Sequence, residues 1–336
     1  MTPPGPGPAQ PPPGDASGAA AAAASRRKRG LALFLLGVVL VVAAVWTVMR
    51  QTATLQTAWE SARAAPWWMI ALVALLPLLN WLLSSLVFWV LTGRYGRVGL
   101  AEMAALIGSA WLLNNLPMRP GMVGRIAYHK LVNGIPVRDS IRVLVCALGC
   151  TATAAGIVLA AAALTHLTGG GAIALTGILT AVTVPLALAS AATRRSAGAA
   201  SMRWRLLTAT ALRIADVALW ALRYWLVFRL IGVPIGPEAA AIVAAASQAA
   251  MVVPVQLGVR EWIVGLAAAW LPPSLAGAAG PGVGVAPGLL VDLVNRAAEI
   301  LVALPVGMLS GVWLAGRRRA TPGLSPPSGG PPFPDK

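Results

Sequence analysis

The stretch that decides the fold is residues 67–91, WWMIALVALLPLLNWLLSSLVFWVL, which contains no charged side chain. An α-helix needs about 20 mainly apolar residues to cross the hydrocarbon core of a bilayer, and this run is long enough. Only α-helices and closed β-barrels can span a bilayer, because lipid offers the backbone no hydrogen-bond partners. The apolar residues of this stretch do not alternate with polar ones, which argues against a β-barrel strand. The stretch therefore predicts a transmembrane helix.

The whole chain has the same character. Of its 336 residues, 58% are hydrophobic and only 11% are charged, and the mean hydropathy is +0.76. This is too apolar for a soluble domain, which must cover itself with polar surface. We therefore predict an all-α polytopic membrane protein.

Six spans are predicted from the apolar runs. They cover about residues 31–49, 67–91, 141–164, 172–192, 206–231 and 286–316. Residues 1–30 and 317–336 are rich in Pro, Gly, Ala, Ser and basic side chains, and we expect both to be disordered tails around a transmembrane domain at 31–316.

The net charge of +16 could indicate nucleic acid, but its distribution favours a membrane. Basic residues cluster at the ends of the predicted spans, at 26–29, 94–97, 194–205 and 317–319. Cytoplasmic loops carry such an excess of Lys and Arg, so we expect both termini to be cytoplasmic. Membrane lipids are the expected partners, nucleic acid is not, and the sequence leaves the oligomeric state open.

Two further pairs of apolar segments are too short to span. They are 100–113 with 122–133, and 238–252 with 259–271, and each pair is joined by a break that contains Pro, Gly and polar residues. A pair of this kind is typical of a re-entrant hairpin, which enters the membrane and returns to its own side.

The two breaks align with each other. Residues 116–121, LPMRPG, lie over 253–258, VPVQLG, so that Pro and Gly keep the same spacing. The preceding predicted spans run in opposite directions, which predicts an inverted repeat with halves at about 67–165 and 206–316. Interrupted segments at matching positions of two such halves indicate a substrate site near the midplane. A chance match between Ala-rich segments is the alternative.

Polar residues at membrane depth are the candidate site, because an ion there is costly unless it is paired or faces water. Arg213, Asp216 and Arg223 share one helical face, which should line a cavity. A structural salt-bridge network, or arginines that extend to the interface, are the alternatives. The candidates for binding a lipid headgroup are Asn115, Arg119, Arg125, Arg213, Asp216, Arg223, Arg260, Glu261 and Arg296, and the candidate helix breaks are Pro117, Gly121, Gly124, Pro254 and Gly258.

The sequence supplies no catalytic constellation that we recognise. Cys146 and Cys150 have no His or carboxylate at ligand spacing, and no Ser-His-Asp set appears. We predict no metal, no cofactor and no enzymatic activity.

The residues at the breaks resemble those of the transmembrane domain of the lysylphosphatidylglycerol synthase family, whose members without the synthase are called flippase-like. Asn115-Leu116-Pro117 with Gly121, Gly124 and Arg125, and Pro254 with Gly258, Arg260 and Glu261, carry the resemblance. It covers roughly residues 30–316 and also implies a role for Arg296. One departure is the start of the span after the first hairpin, which usually holds acidic residues but here reads RVLVC at 142–146. Only a short tail follows the last span, so we expect no synthase domain.

The resemblance implies a multi-pass protein of a bacterial inner membrane that moves a phospholipid, or another anionic or zwitterionic lipid, between leaflets. An intramembrane enzyme that acts on a lipid-linked substrate, and a membrane partner that transports nothing, are the alternatives.

Overall fold

The computed structural model describes residue 32 and residues 35–114, 120–197, 201–250, 258–275 and 283–320. These residues form α-helices and no strand. The helices are α1 (Leu35–Met49), α2 (Thr52–Ala64), α3 (Trp67–Thr92), α4 (Leu100–Leu113), α5 (Pro120–Leu131), α6 (Val137–Thr168), α7 (Gly171–Ala197), α8 (Met202–Leu230), α9 (Pro237–Ala249), α10 (Val259–Ala269) and α11 (Val285–Ala320). Residues 115–119 and 251–257, which make up most of both predicted breaks, lie outside the described residues, as do residues 1–30 and 321–336.

Four helices are long and apolar enough to cross a membrane. They are α3, α6, α7 and α11, and α1 with α2 would make a fifth if that pair, which is bent by 83°, forms one span. The predicted class, a helical membrane protein, is confirmed. Four or five of the six predicted spans are therefore long and apolar enough to cross a membrane. The remaining one, α8, is long enough but carries too many charged residues to be identified as a span from its composition.

The polar helix α8 lies at the centre of the bundle. It packs against α3, α6, α7, α9 and α11, and 15 of its 29 residues are buried. At 1.5 Å per residue it is about 43 Å long, which is enough to cross a bilayer. The charged side chains in its middle, Arg213, Asp216 and Arg223, are buried among the surrounding helices.

Four short helices pair as the sequence predicts. Helices α4, α5, α9 and α10 have 14, 12, 13 and 11 residues, each too short to span. Asn114, which follows α4, accepts a hydrogen bond at its side-chain oxygen from the backbone N–H of Met122, in the first turn of α5 (3.2 Å). A Cβ on Gly121 would lie 2.2 Å from the carbonyl oxygen of Ala110, so only glycine allows α5 to begin this close to α4. Helix α9 packs likewise against α10.

The two sets of helices, α3–α6 and α8–α11, pack reciprocally. Helix α4 lies against α11, and α9 lies against α6, while α3 and α8 pack against each other. At the first of these contacts Gly307 of α11 abuts Gly108 and Leu112 of α4. Each short pair therefore contacts the last long helix of the other set.

Basic residues gather at one end of the bundle. Arg205, near the start of α8, donates hydrogen bonds to the carbonyl oxygens of Val90 and Gly93 at the end of α3. Arg317, near the end of α11, forms an ion pair with Glu102 at the start of α4 (3.3 Å). The α4–α5 pair therefore starts at this basic end. Helix α8 leads away from it, so the α9–α10 pair starts at the opposite end.

Several helices differ from the sequence prediction at their ends by up to five residues, as at the start of α6 and the end of α7, and one helix was not predicted. Residues 52–64, between the first two predicted spans, form the helix α2, which the low apolar content of this segment does not indicate. Helix α11 continues beyond Gly316, where the sequence predicts the last span to end, and the ion pair of Arg317 holds this additional turn.

Candidate functional site

A cavity of about 600 Å³ lies in the middle of the bundle, where the two short pairs meet the long helices. Its wall is built from α3, α4, α5, α6, α8, α9, α10 and α11. The polar side chains on this wall are Asn80, Ser84, Asn114, Arg125, Thr151, Arg213, Asp216, Arg223, Gln248, Arg260, Arg296 and Glu299. We call this the central cavity.

Six of the nine predicted headgroup residues lie on the wall of the central cavity. They are Arg125, Arg213, Asp216, Arg223, Arg260 and Arg296. Glu261 is fully buried behind the wall, where it accepts a hydrogen bond from Arg296 (2.8 Å). Asn115 and Arg119, like the predicted break residues Pro117 and Pro254, lie outside the described residues.

An ion cluster joins α8, α10 and α11 on one side of the cavity. Arg260 donates to Asp292 through Nε (3.0 Å) and to Glu299 through Nη1 (3.1 Å). Glu299 also pairs with Arg223 (3.3 Å), and Tyr224 donates its hydroxyl proton to Asp292 (2.6 Å). Glu261, the neighbour of Arg260 on α10, points in a different direction and pairs with Arg296 instead.

A second network joins α3 to α8. Asp216 accepts hydrogen bonds from Arg213 (2.7 Å) and from the side-chain amide of Asn80 (2.8 Å). Arg213 also donates to Ser84 (3.1 Å), and the carbonyl oxygen of the Asn80 side chain accepts from Arg223 (3.1 Å). Asn80 therefore connects the two networks through opposite ends of one amide.

Two aromatic rings, those of Phe88 and Trp220, form cation–π contacts with arginines of the cavity. Arg125 lies over the ring of Phe88, 3.9 Å from the centroid, and Arg213 lies 6.0 Å from the same ring. Trp220 is contacted in the same manner by Arg223 at 4.3 Å and by Arg260 at 5.4 Å. Cation–π contacts of this kind strengthen when water is excluded.

Arg125 differs from the other arginines of the cavity. Its side chain is only 8% exposed and lies on the cavity wall, yet within the described part of the chain it has neither an ion pair nor a hydrogen bond. Arg213, Arg223, Arg260 and Arg296 each pair with a carboxylate. The cavity therefore holds one cationic group that the described residues do not neutralise.

The cavity extends along an apolar face of α6. Leu144, Leu148, Thr151, Ala155 and Leu159 recur at helical spacing on this face and line the cavity. Leu148 and Leu159 are each 40% exposed, so the cavity is open rather than closed along this face. In a membrane-embedded protein an opening on this apolar face would suit lipid.

Three predicted break glycines can be located. Gly258 directly precedes α10 with φ +82°, and it marks the end of the second break. Gly121 and Gly124 lie inside α5 and do not interrupt it. Gly124 is exposed, and a Cβ there would meet nothing within 4 Å, because this side of α5 faces away from its neighbours.

Sequence reasoning missed several polar or aromatic residues of the cavity wall, among them Asn80, Ser84, Phe88 and Gln248. Asn80 was detectable, because it is a lone amide within the apolar run that decides the fold. Phe88 gave no signal, since an aromatic residue in a span most often packs against lipid or a neighbouring helix.

No group of three His, Cys, Asp or Glu side chains that could hold a metal occurs in the described ranges. Comparison of the chain with models of protein families, with curated proteins and with solved structures finds no match. The geometry of the central cavity is therefore the basis for a functional proposal.

Proposed function

We propose that this protein moves a phospholipid, or another anionic or zwitterionic lipid, between the leaflets of a membrane, with the central cavity as its headgroup site. The observation that carries the proposal is the cavity itself. It is polar and rich in arginine inside, yet it opens sideways along an apolar face of α6. A lipid could place its headgroup among the arginines while its acyl chains stay in the bilayer.

We further propose six spans and an inverted repeat. The six spans are the four long apolar helices with α1 and α8. The repeat pairs α3–α6 with α8–α11, each half holding one re-entrant hairpin. The reciprocal packing of α4 on α11 and of α9 on α6 supports this arrangement, as do the hairpins that start at opposite ends of the bundle. In transporters with inverted repeats, substrates bind between the halves near the midplane, and the central cavity is lined by helices of both proposed halves.

The basic end of the bundle would then face the cytoplasm of a bacterial cell, and both termini would be cytoplasmic. Cysteine labelling tests this orientation in a variant that lacks Cys146 and Cys150. A single cysteine at Arg97, which is exposed at the basic end, should be protected from an impermeant maleimide added to intact cells. A single cysteine at Trp270, which is 86% exposed after α10, should react, and the reverse pattern would contradict the proposed orientation.

Membership in the lysylphosphatidylglycerol synthase transmembrane family is part of the same proposal. It rests on the residues around the two breaks, of which Gly121, Arg125, Gly258, Arg260 and Glu261 lie at or beside the start of a short helix. The predicted headgroup residues from both halves meet in one cavity, which is what a shared lipid site requires.

The cavity favours transport over catalysis. Asp216 and Glu299 are the carboxylates on the described part of its wall, and both are held in ion pairs with arginine. A general base needs a carboxylate or imidazole that can reach the substrate and exchange a proton, and an ion-paired carboxylate is a poor one. A membrane partner that transports nothing has no need of a buried cavity lined by arginine.

Reconstitution into liposomes tests the proposed function. Lipids that carry a fluorophore on one acyl chain are placed in both leaflets, and dithionite, which cannot cross the membrane, bleaches those in the outer leaflet. We expect the protein to let bleaching proceed beyond half of the label, and Arg125→Ala to slow this phase about tenfold, as for loss of one hydrogen bond to a charged group.

Lys130→Ala is the matched control, because Lys130 is an exposed cation on the same helix as Arg125. Bleaching that stops at half of the label with folded protein would refute transport. Recovered lipids with an altered headgroup mass would instead favour the enzyme.

A further inference from the structure

The charges around the central cavity do not balance. The five arginines of the wall face four carboxylates at or directly behind it: Asp216, Glu261, Asp292 and Glu299. Each of these carboxylates is already paired with an arginine. The described residues therefore leave one positive charge, and it lies on Arg125.

The contrast between the two hairpins shows how this charge arises. Arg260 follows the second break and is neutralised by Asp292 and Glu299, both on the long helix α11 that follows its hairpin. Arg125 follows the first break, and the helix after its hairpin is α6. The α6 side chains that line the cavity are apolar, apart from Thr151, and Asp139 of α6 instead pairs with Arg142 (2.8 Å) near the half-exposed start of the helix.

The surroundings of Arg125 favour an anion. The side chain is more than nine-tenths buried and faces the cavity, and its guanidinium offers a planar set of N–H donors to a phosphate. It lies in the second turn of α5, whose first turn also borders the cavity through Met122. The N-terminal end of a helix carries a partial positive charge, which adds to that of the guanidinium.

We propose that the central cavity selects lipids whose headgroup carries one net negative charge and no ammonium group, with the phosphodiester of the lipid bound to Arg125. This inference rests on the proposed function and narrows its substrate. An anion of this class would complete the charge balance that the described residues leave open.

An ammonium group would find no unpaired carboxylate on the described part of the same wall, because Asp216 and Glu299 are both engaged by arginines. The rings of Phe88 and Trp220 already contact guanidinium groups, and the other aromatic residues of the wall, Trp81 and Trp111, offer an ammonium group only cation–π contacts. A cationic headgroup would also be repelled by Arg125, so the cavity discriminates by charge.

The same chemistry could come from a soluble phosphodiester, but the cavity favours a lipid. It continues along the apolar face of α6, where Leu148 and Leu159 are each 40% exposed. Acyl chains match this face and a soluble anion does not. An amphiphile with its phosphate at Arg125 would thus meet suitable surroundings along its whole length.

Native mass spectrometry of the purified full-length protein in detergent tests the selectivity. The probes are phosphatidylglycerol, phosphatidylcholine, the cationic triester ethylphosphatidylcholine, and glycerophosphoglycerol, which has the anionic headgroup without acyl chains. We expect phosphatidylglycerol to bind at least about tenfold more tightly than each of the other three, the factor that one charge-assisted hydrogen bond provides. Arg125→Gln should remove the preference, Arg125→Glu should reverse it towards ethylphosphatidylcholine, and Lys130→Ala should keep it.

Equal binding of all lipids by the unmodified protein would overturn the inference, and this comparison needs no variant that could misfold. Equal binding of glycerophosphoglycerol would overturn the assignment to lipid, and a preference that survives in folded Arg125→Gln would overturn the role of Arg125. Selective binding without translocation in liposomes would refute the proposed function alone. Translocation of every lipid at one rate, without selective binding, would refute this inference alone.

Discussion

The strongest test of the packing is the removal of the negative charge of Glu299. This carboxylate is 9% exposed and is shared by two buried arginines, Arg260 at 3.1 Å and Arg223 at 3.3 Å. Glu299→Gln keeps the size and an acceptor oxygen but leaves two arginines with Asp292 alone. Breaking a buried ion pair by neutralising one partner costs about 3–5 kcal/mol, so we expect a loss of free energy of unfolding in that range.

A second substitution tests whether the loss of stability in Glu299→Gln comes from the uncompensated positive charge. Arg223→Met in the Glu299→Gln background removes the surplus charge and leaves Arg260 paired with Asp292 through its Nε atom (3.0 Å). We expect the double variant to be more stable than Glu299→Gln alone, with a coupling of about 1–3 kcal/mol. The recovery stays partial, because the oxygen of Asn80 loses the arginine that donates to it.

Equilibrium unfolding in mixed micelles, with increasing fractions of a denaturing detergent, measures both effects. Lys130→Ala, an exposed change of charge, should leave the transition in place. The ion cluster would not have the energetic role that its burial indicates if the double variant were less stable than Glu299→Gln alone. The same would follow if Glu299→Gln lowered the free energy of unfolding by less than about 1 kcal/mol.

The remaining predictions concern single positions and the same unfolding measurement. Gly121→Ala should lower the free energy of unfolding by about 1–3 kcal/mol, because its Cβ would overlap the backbone of Ala110. Gly124→Ala on the same helix should raise it by about 0.5–1 kcal/mol through helix propensity. Equal effects of the two substitutions would contradict the close contact of α4 and α5. Gly258→Ala should cost about 1–3 kcal/mol from its φ of +82° alone, and an unchanged stability would show that α10 begins differently. Arg317→Ala should cost only about 0.2–1 kcal/mol, because that side chain is 54% exposed, and a larger loss would mean that the end of α11 is held by more than this pair.

Local sequence features were enough to predict every described helix except α2. The lengths of the apolar runs and the positions of Pro and Gly placed α4, α5, α9 and α10 within a few residues of their observed ends. Helical periodicity alone placed Arg213, Asp216 and Arg223 on one face, and the structure has all three on the wall of one cavity. Both results depend on geometry within a single helix, which the sequence encodes directly.

The pairings across helices could not be predicted. Asp292 and Glu299 reach Arg260 from a helix 32 and 39 residues further along the chain, and which of them approaches it depends on how α10 packs against α11. The same is true of Phe88, whose contact with Arg125 depends on how α3 and α5 each pack against α4 and α6. A single sequence gives the faces of each helix but not the distances between them.

The central position of α8 has a consequence for how the protein enters the membrane. Arg213, Asp216 and Arg223 would each add about 2.5–3.5 kcal/mol to the insertion of an isolated helix, so α8 would not be retained in lipid by its own apolar residues. Asn80 and Ser84 of α3, which bind these side chains, are synthesised about 130 residues earlier. In the six-span arrangement proposed above, the membrane integration of α8 depends on α3 already being in the bilayer, and a substitution that damaged α3 would also remove the helix that supplies two of the cavity's five arginines.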